Sequence, residues 1–147
     1  MKTLFLAAFL ATSLIATASG TKEKSITNMK LLNNFTAQFG HVDNVVWRSA
    51  MNNMTKAEFT IDDDKICAFF DESGSYVAQT RQISLEELPK KLQEALNEKA
   101  PGAEVLTVFE MTSNDEKAWF VETVARNEKK LWKGNTFGKL SRYYVNQ

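Results

Sequence analysis

Residues 83–110 read ISLEELPKKLQEALNEKAPGAEVLTVFE, a helix with one apolar stripe to bury, followed by a strand. Ser84-Leu85-Glu86-Glu87 has the spacing of a capping box, in which hydroxyl and carboxylate each satisfy a free backbone donor of the first turn. Leu85, Leu88, Leu92, Ala95 and Leu96 then fall on one stripe, while Glu86, Lys90, Lys91, Gln93, Glu94 and Lys99 take the wet side. Pro89 falls in the first turns, where a missing N–H costs little, and Pro101-Gly102 ends the element. Strand-forming residues follow at Glu104–Met111.

Upstream the same grammar appears. Met29, Leu31, Leu32, Phe35 and Phe39 lie at helical spacing, with Asn28 as a cap and Gly40 as the stop. Val45-Val46-Trp47 then opens strand territory, continued by Ala57–Ile61, Ile66–Phe70 and Tyr76–Arg81. Met51–Thr55, Asp62-Asp63-Asp64 and Asp71-Glu72-Ser73-Gly74 are the turns between antiparallel neighbours. Downstream, Ala118–Val124, Lys129–Lys133 and Lys139–Val145 repeat the sequence of a helix followed by several strands.

The two halves can be superposed by eye. Gly40 falls on Gly102, Lys56-Ala57-Glu58-Phe59 on Lys117-Ala118-Trp119-Phe120, Lys65-Ile66-Cys67 on Lys130-Leu131-Trp132, and Gly74 on Gly138, with offsets of 61 to 65. The expected fold is α+β: two tandem helix-plus-antiparallel-strand repeats, about 29–83 and 84–147, forming one sheet with the helices packed on one face.

Residues 1–18, MKTLFLAAFLATSLIATA, carry one cation, an apolar run from Leu4 to Ile15 and a small-x-small end, the three-part pattern of a secretory signal peptide. The run is too short to span a bilayer. Cleavage after about Ala18 is expected, giving a periplasmic or secreted protein with no membrane insertion and a loose polar leader at 19–28. Lys2 leaves with the signal, so 17 cations face 18 anions and the remaining net charge is −1. A balanced charge gives no electrostatic reason to bind nucleic acid. One cysteine forbids an internal disulfide, and a single histidine, His41, leaves no multi-histidine metal site or histidine-based triad. The expected protein is therefore not an enzyme and holds no cofactor.

The segments FDESGSYVAQTR, ISLEELPKKLQEAL and PG–AEVLTVFE, within a match from about Phe35 to Val145, resemble the beta-lactamase-inhibitor-like, PepSY-like family of exported bacterial proteins. The resemblance implies an antiparallel sheet with helices on one side and a location outside the cytoplasm. It brings no catalytic residues. Asn135-Thr136-Phe137-Gly138 lacks the acids of the first turn, Asp71-Glu72-Ser73-Gly74, so any role of those acids need not be duplicated.

Candidate sites are few. Asp62, Asp63, Asp64, Asp71 and Glu72 cluster acidic oxygens, but the spacing of a calcium loop is missing and hairpin turns favour aspartate for local reasons. Glu86/Glu87 and Glu110/Asp115 read as solvated or capping carboxylates. Cys67, inside an apolar run, reads as a small buried hydrophobe. The sequons at Asn34 and Asn53 have no glycosylation role in a bacterial context. On strand 118–124 successive residues face opposite ways; with Phe120 laid on Phe59, Trp119 should face away from the helices, together with Trp132, Phe69 and Glu58. These four form the expected binding surface for an unknown protein or peptide of the cell envelope, with the edge of a strand as a further or alternative point of contact. The competing expectation is a small-ligand carrier or an enzyme with a pocket between helices and sheet.

Overall fold

The computed structural model describes residues 23–144 except Met51 and Asp115. The expected signal peptide therefore lies outside the described residues. Helix α1 (Met29–Phe39) begins at Asn28, whose Oδ1 accepts from the Leu31 amide at 3.2 Å, and stops at Gly40, φ 74°. Four strands follow: β1 (Val46–Ser49), β2 (Thr55–Ile61), β3 (Asp64–Phe70) and β4 (Tyr76–Ile83). A short 3₁₀ turn, Leu85–Glu87, leads into α2 (Lys90–Lys99), and β5 (Glu104–Ser113), β6 (Lys117–Ala125), β7 (Glu128–Asn135) and β8 (Leu140–Tyr143) complete the chain.

All eight strands form one antiparallel meander in chain order, β1 to β8. Such local pairing needs only short connections, which is why tight turns dominate the sequence between strands. In the β2–β3 connection Asp62 and Asp63 have φ of 49° and 69°; in the β6–β7 connection Arg126 and Asn127 have 49° and 62°. Two successive residues at positive φ make the turn whose twist matches that of the flanking strands.

Pro89 corrects the expected start of the second helix. The capping box is present at Ser84 and Glu87, the Ser84 amide donating to Glu87 Oε2 at 2.8 Å, but it heads the 3₁₀ turn. Leu88 before the proline is extended at φ −62°, ψ 134°, and the α-helix starts only at Lys90, because proline disfavours helical geometry in its predecessor. Leu85 is exposed as a result, while Leu88, Leu92 and Leu96 are buried.

The leader differs from expectation where it is described. Glu23 bridges Arg48 of β1, the Lys24 amide donates to the Trp47 carbonyl at 2.8 Å, and Ile26 packs under α1. Glu23 and Lys24 thus pair with the β1 edge, and Ile26 anchors the segment to the core.

Cross-strand partners share a face, so the register sorts side chains across the whole sheet. The row Phe59, Ile66, Arg81, Glu110, Trp119, Gly134 and Leu140 is one such set. Phe35 of α1 meets Phe59 edge-on at 5.1 Å between ring centres. Leu92 of α2 lies over Gly134. Both helices therefore cover the same face, α1 over the first strands and α2 over the last. Between them the row is polar, and Arg81 joins Asp64 at 3.1 Å and Glu87 at 3.4 Å.

Candidate functional site

The next row along, Glu58, Cys67, Thr80, Met111 and Ala118, points to the other side, as do Phe69, Ala78, Phe109 and Phe120. No helix among the described residues lies on this face. Its centre is apolar: Phe109 and Phe120 stack at 5.2 Å, Tyr143 of β8 meets Phe120 edge-on at 5.7 Å, and Phe69, Ala78, Met111 and Ala118 complete the cluster. Charged groups ring it. Glu58 accepts from Arg48 Nε at 3.0 Å and pairs with Lys56 at 2.5 Å; at the far side Lys133 pairs with Glu116 at 2.8 Å and stands 5.9 Å over the Phe120 ring. Burial works against ionisation of Glu58, yet the two cations outweigh it and hold the carboxyl below its ordinary range.

Two of the four expected surface residues are elsewhere. Trp119 pairs with Gly134, Trp132 is two residues from it on the same strand, and both indoles pack with Leu88, Leu92 and Leu96 beneath α2. The Trp132 Nε1–H donates to Thr123 Oγ1 at 2.9 Å, so its polar atom is satisfied inside the layer. The expectation that they face away from the helices is overturned. Its cause is one of register: Phe120 was laid on Phe59 at an offset of 61, whereas the two hairpin turns, Asp62-Asp63 and Arg126-Asn127, lie 64 residues apart. An odd slip sends every side chain of a strand to the opposite face.

Phe69 and Glu58 do occupy the helix-free side. Phe69 is fully buried within the aromatic cluster, while Glu58 is part-exposed at its rim. The sequence did not single out Phe109 and Tyr143, and Phe120, expected on the helix side with Phe59, lies on the helix-free side with them.

An open cleft of about 930 Å³ lies at the far ends of β2 and β3, lined by Glu58, Thr60, Lys65, Cys67, Thr80 and Gln82 and bounded by His41 after α1. Phe39 of α1 and the helix-side residues Phe59, Ile61 and Ile66 also line it, so the cleft straddles the end of the sheet and only part of it lies between helix and sheet. Burial pushes the Cys67 thiol up, so it is protonated at neutral pH and a poor nucleophile. Asp62 and Asp63 form a turn, and Asp64 is engaged by Arg81.

The second acidic loop also has a structural reading. Asp71 Oδ1 accepts from the Ser73 hydroxyl at 2.7 Å and the Ser75 amide at 2.9 Å. Asn135 Oδ1, 64 residues on, accepts from the Phe137 and Lys139 amides, both at 3.0 Å. The side-chain oxygen that shapes the turn is thus present in both, and the negative charge is not what the loop requires. Gly74 and Gly138 in these loops have φ of 82° and 85° and abut the first turns of α1 and α2 through Leu31 and Lys91.

No protein-family model matches the chain, and no curated protein matches it. Solved structures do. A BLIP-like protein of Bacteroides fragilis NCTC 9343 aligns with a TM-score of 0.72 at 13% identity, over 84% of this chain and 91% of its own. A DUF2874 family protein of Bacteroides uniformis ATCC 8492 aligns at 0.71 and 18% identity, over 76% and 84%. A presumed periplasmic protein of Bacteroides eggerthii DSM 20697 aligns at 0.72 and 11% identity, over 80% and 90%. The chain has the beta-lactamase-inhibitor-like α+β fold that these proteins share.

Proposed function

We propose that this is an exported, non-catalytic binding module that recognises a protein or peptide through the helix-free side of its sheet. The observation that carries the reading is the asymmetry of the two faces. One is filled by two helices; on the other Phe69, Phe109 and Phe120 are closed off at 2% exposure or less, and the part-exposed charged groups Arg48, Glu58, Glu116 and Lys133 around them are what a partner reaches. Charged groups held over a rigid, close-packed layer give a protein partner register and specificity. Export is supported by the leader pattern of residues 1–18 and by the B. eggerthii neighbour. The BLIP-like neighbour supports protein recognition as the use of the fold, although a shared fold carries no activity by itself. Equal turn geometry at Asp71 and Asn135 supports a duplicated helix-and-meander unit as the origin of the scaffold.

A photo-crosslinking residue placed at Glu58 or Tyr143 in the native host's envelope tests the reading. It should give one discrete adduct, identifiable by mass, that is absent when the probe stands at Gln93 on the helix side. Adducts of equal yield from both sides, or none from the rim, would refute it. The cleft beside Glu58 and Cys67 supports a second reading, a small polar ligand. A thermal-shift screen with such molecules, showing saturable stabilisation removed by Thr80→Val, would favour it instead.

A further inference from the structure

We infer that the β7–β8 turn is a protein-docking knob: Phe137 enters an apolar pocket on a partner protein, and acidic groups on the rim of that pocket pair with Lys91 and Lys139. A lone exposed apolar residue is ordinary on a protein surface. What sets Phe137 apart is the β3–β4 turn, which is built alike. The Asp71 and Asn135 carbonyls accept from the amides of Gly74 and Gly138 at 2.9 and 3.1 Å, and the Asp71 and Asn135 amides donate to the Ser75 and Lys139 carbonyls at 2.9 and 3.1 Å. The side-chain oxygens of the same two residues accept from the amides of Ser75 and Lys139 at 2.9 and 3.0 Å. Ser73 stands where the second turn has Phe137, so this geometry forms without an aromatic ring. Phe137 is there all the same, 84% exposed.

The charges of the two turns differ as well. The first carries Asp71 and Glu72, with Lys30 alongside, its Nζ donating to Ser75 Oγ at 3.2 Å. The second has Asn135 and Thr136 in place of the acids, and a cation on either side. Gly138 abuts the Lys91 side chain of α2, while Lys139 faces Asn135 across the hairpin. Both lysines are exposed, and neither has an ion pair among the described residues. Asn135 Oδ1 also accepts the Phe137 amide at 3.0 Å. The backbone under the ring is therefore fixed before a partner arrives, and docking forfeits less conformational freedom. Aromatic anchors seated in pockets carry much of the energy of an interface, and the charges around them set approach and partner choice. An anionic lipid surface would answer the lysines too, but insertion into lipid scales with buried apolar area, and Thr136 and Gly138 beside the ring add none. One rigid ring between two cations suits a shaped, acid-rimmed pocket.

The test replaces Phe137 by the photoreactive residue benzoylphenylalanine in the full chain, expressed in the native host's envelope. Illumination should give one protein adduct, and the crosslinked peptide, mapped by mass spectrometry, should line an apolar pocket bordered by aspartate or glutamate. The same probe in place of Ser73 should give none. Lys91→Glu with Lys139→Glu should lower the yield from position 137 by about tenfold or more, with circular dichroism unchanged; should that variant fail to fold, Lys139→Gln replaces it and should lower the yield in the same direction. No adduct, equal yield from the Ser73 position, a yield indifferent to the lysine changes, an adduct with phospholipid or one with a second copy of this chain would each overturn the inference. The expected adduct from position 137, with none from Glu58 or Tyr143, would uphold it and refute the helix-free reading alone.

Discussion

A missing side chain, that of Gly134, sets how closely α2 approaches the sheet. A Cβ built there would come within 2.7 Å of Leu92 Cδ1 and 2.8 Å of Cδ2, closer than packed carbons allow. Trp119 opposite and Trp132 alongside fill the space that Leu92 leaves. Gly134→Ala should therefore cost ~1–3 kcal/mol through overpacking. Leu92→Ala should cost ~2–5 kcal/mol through the cavity it opens. In the double variant the added methyl meets empty space, so its loss should fall short of the sum. Urea midpoints for the four proteins decide it, and strict additivity would mean that helix and sheet do not meet here. At Asp71, burial favours the neutral acid, but hydrogen bonds from Ser73 and Ser75 prevail and keep its pKa below the usual carboxylate range. The stabilisation is then present above the unfolded value, near 4, and is lost as pH falls through the lower folded one. Because Asn135 Oδ1 accepts the same bonds without charge, Asp71→Asn should lose at pH 7 only the part that ionisation adds, whereas Asp71→Ala should lose the bonds as well, ~1 kcal/mol. Equal losses in chemical denaturation would show that the charge matters after all.

At the scale of elements, local chemistry is decisive. The β2–β3 turn holds Asp63 at φ 69°, a region glycine occupies without strain. Asp63→Gly should stabilise the hairpin by ~0.5 kcal/mol, read as a raised thermal midpoint, and a lowered one would show that the carboxylate is used. Helix ends and turns were legible in the sequence for the same reason: Asn28, Gly40, Ser84 and Glu87 act within a few residues of their own position. Pro89 was legible only as a residue tolerated early in a helix; its effect on Leu88 put the true start at Lys90. The faces of β6 were not legible. Ala118, Trp119, Phe120 and Val121 are all buried, so the strand lacks the alternation that tells one side from the other. Only the register across β5 and β7 separates Trp119 from Phe120, and register is a property of pairs of strands.

The whole molecule is a sheet with hydrophobic material on both sides, and Tyr76 reports on how the first half is closed. Its ring lies 6.0 Å from Phe70 and 6.1 Å from Phe39, so it packs under α1. Its single hydroxyl proton is shared between two acceptors, Gln79 Oε1 at 3.3 Å and the Thr112 carbonyl at 3.5 Å on the neighbouring β5. Burial disfavours the phenolate and pushes the pKa up to about 12, against roughly 10 in an unfolded chain. Between those values the unfolded state gives up a proton that the folded state keeps. The contribution of Tyr76 is thus complete below pH 10 and drains away as pH climbs to about 12. Tyr76→Phe keeps the ring and removes the titration. It should cost ~1 kcal/mol at pH 8 through the lost hydrogen bonds, and its stability should then decline less steeply than the parent's above pH 10. Urea midpoints at several alkaline pH values, with phenolate absorbance followed in parallel, measure both slopes. Parallel slopes would mean that Tyr76 reaches solvent and that the seam between α1 and the central strands opens before the rest of the fold.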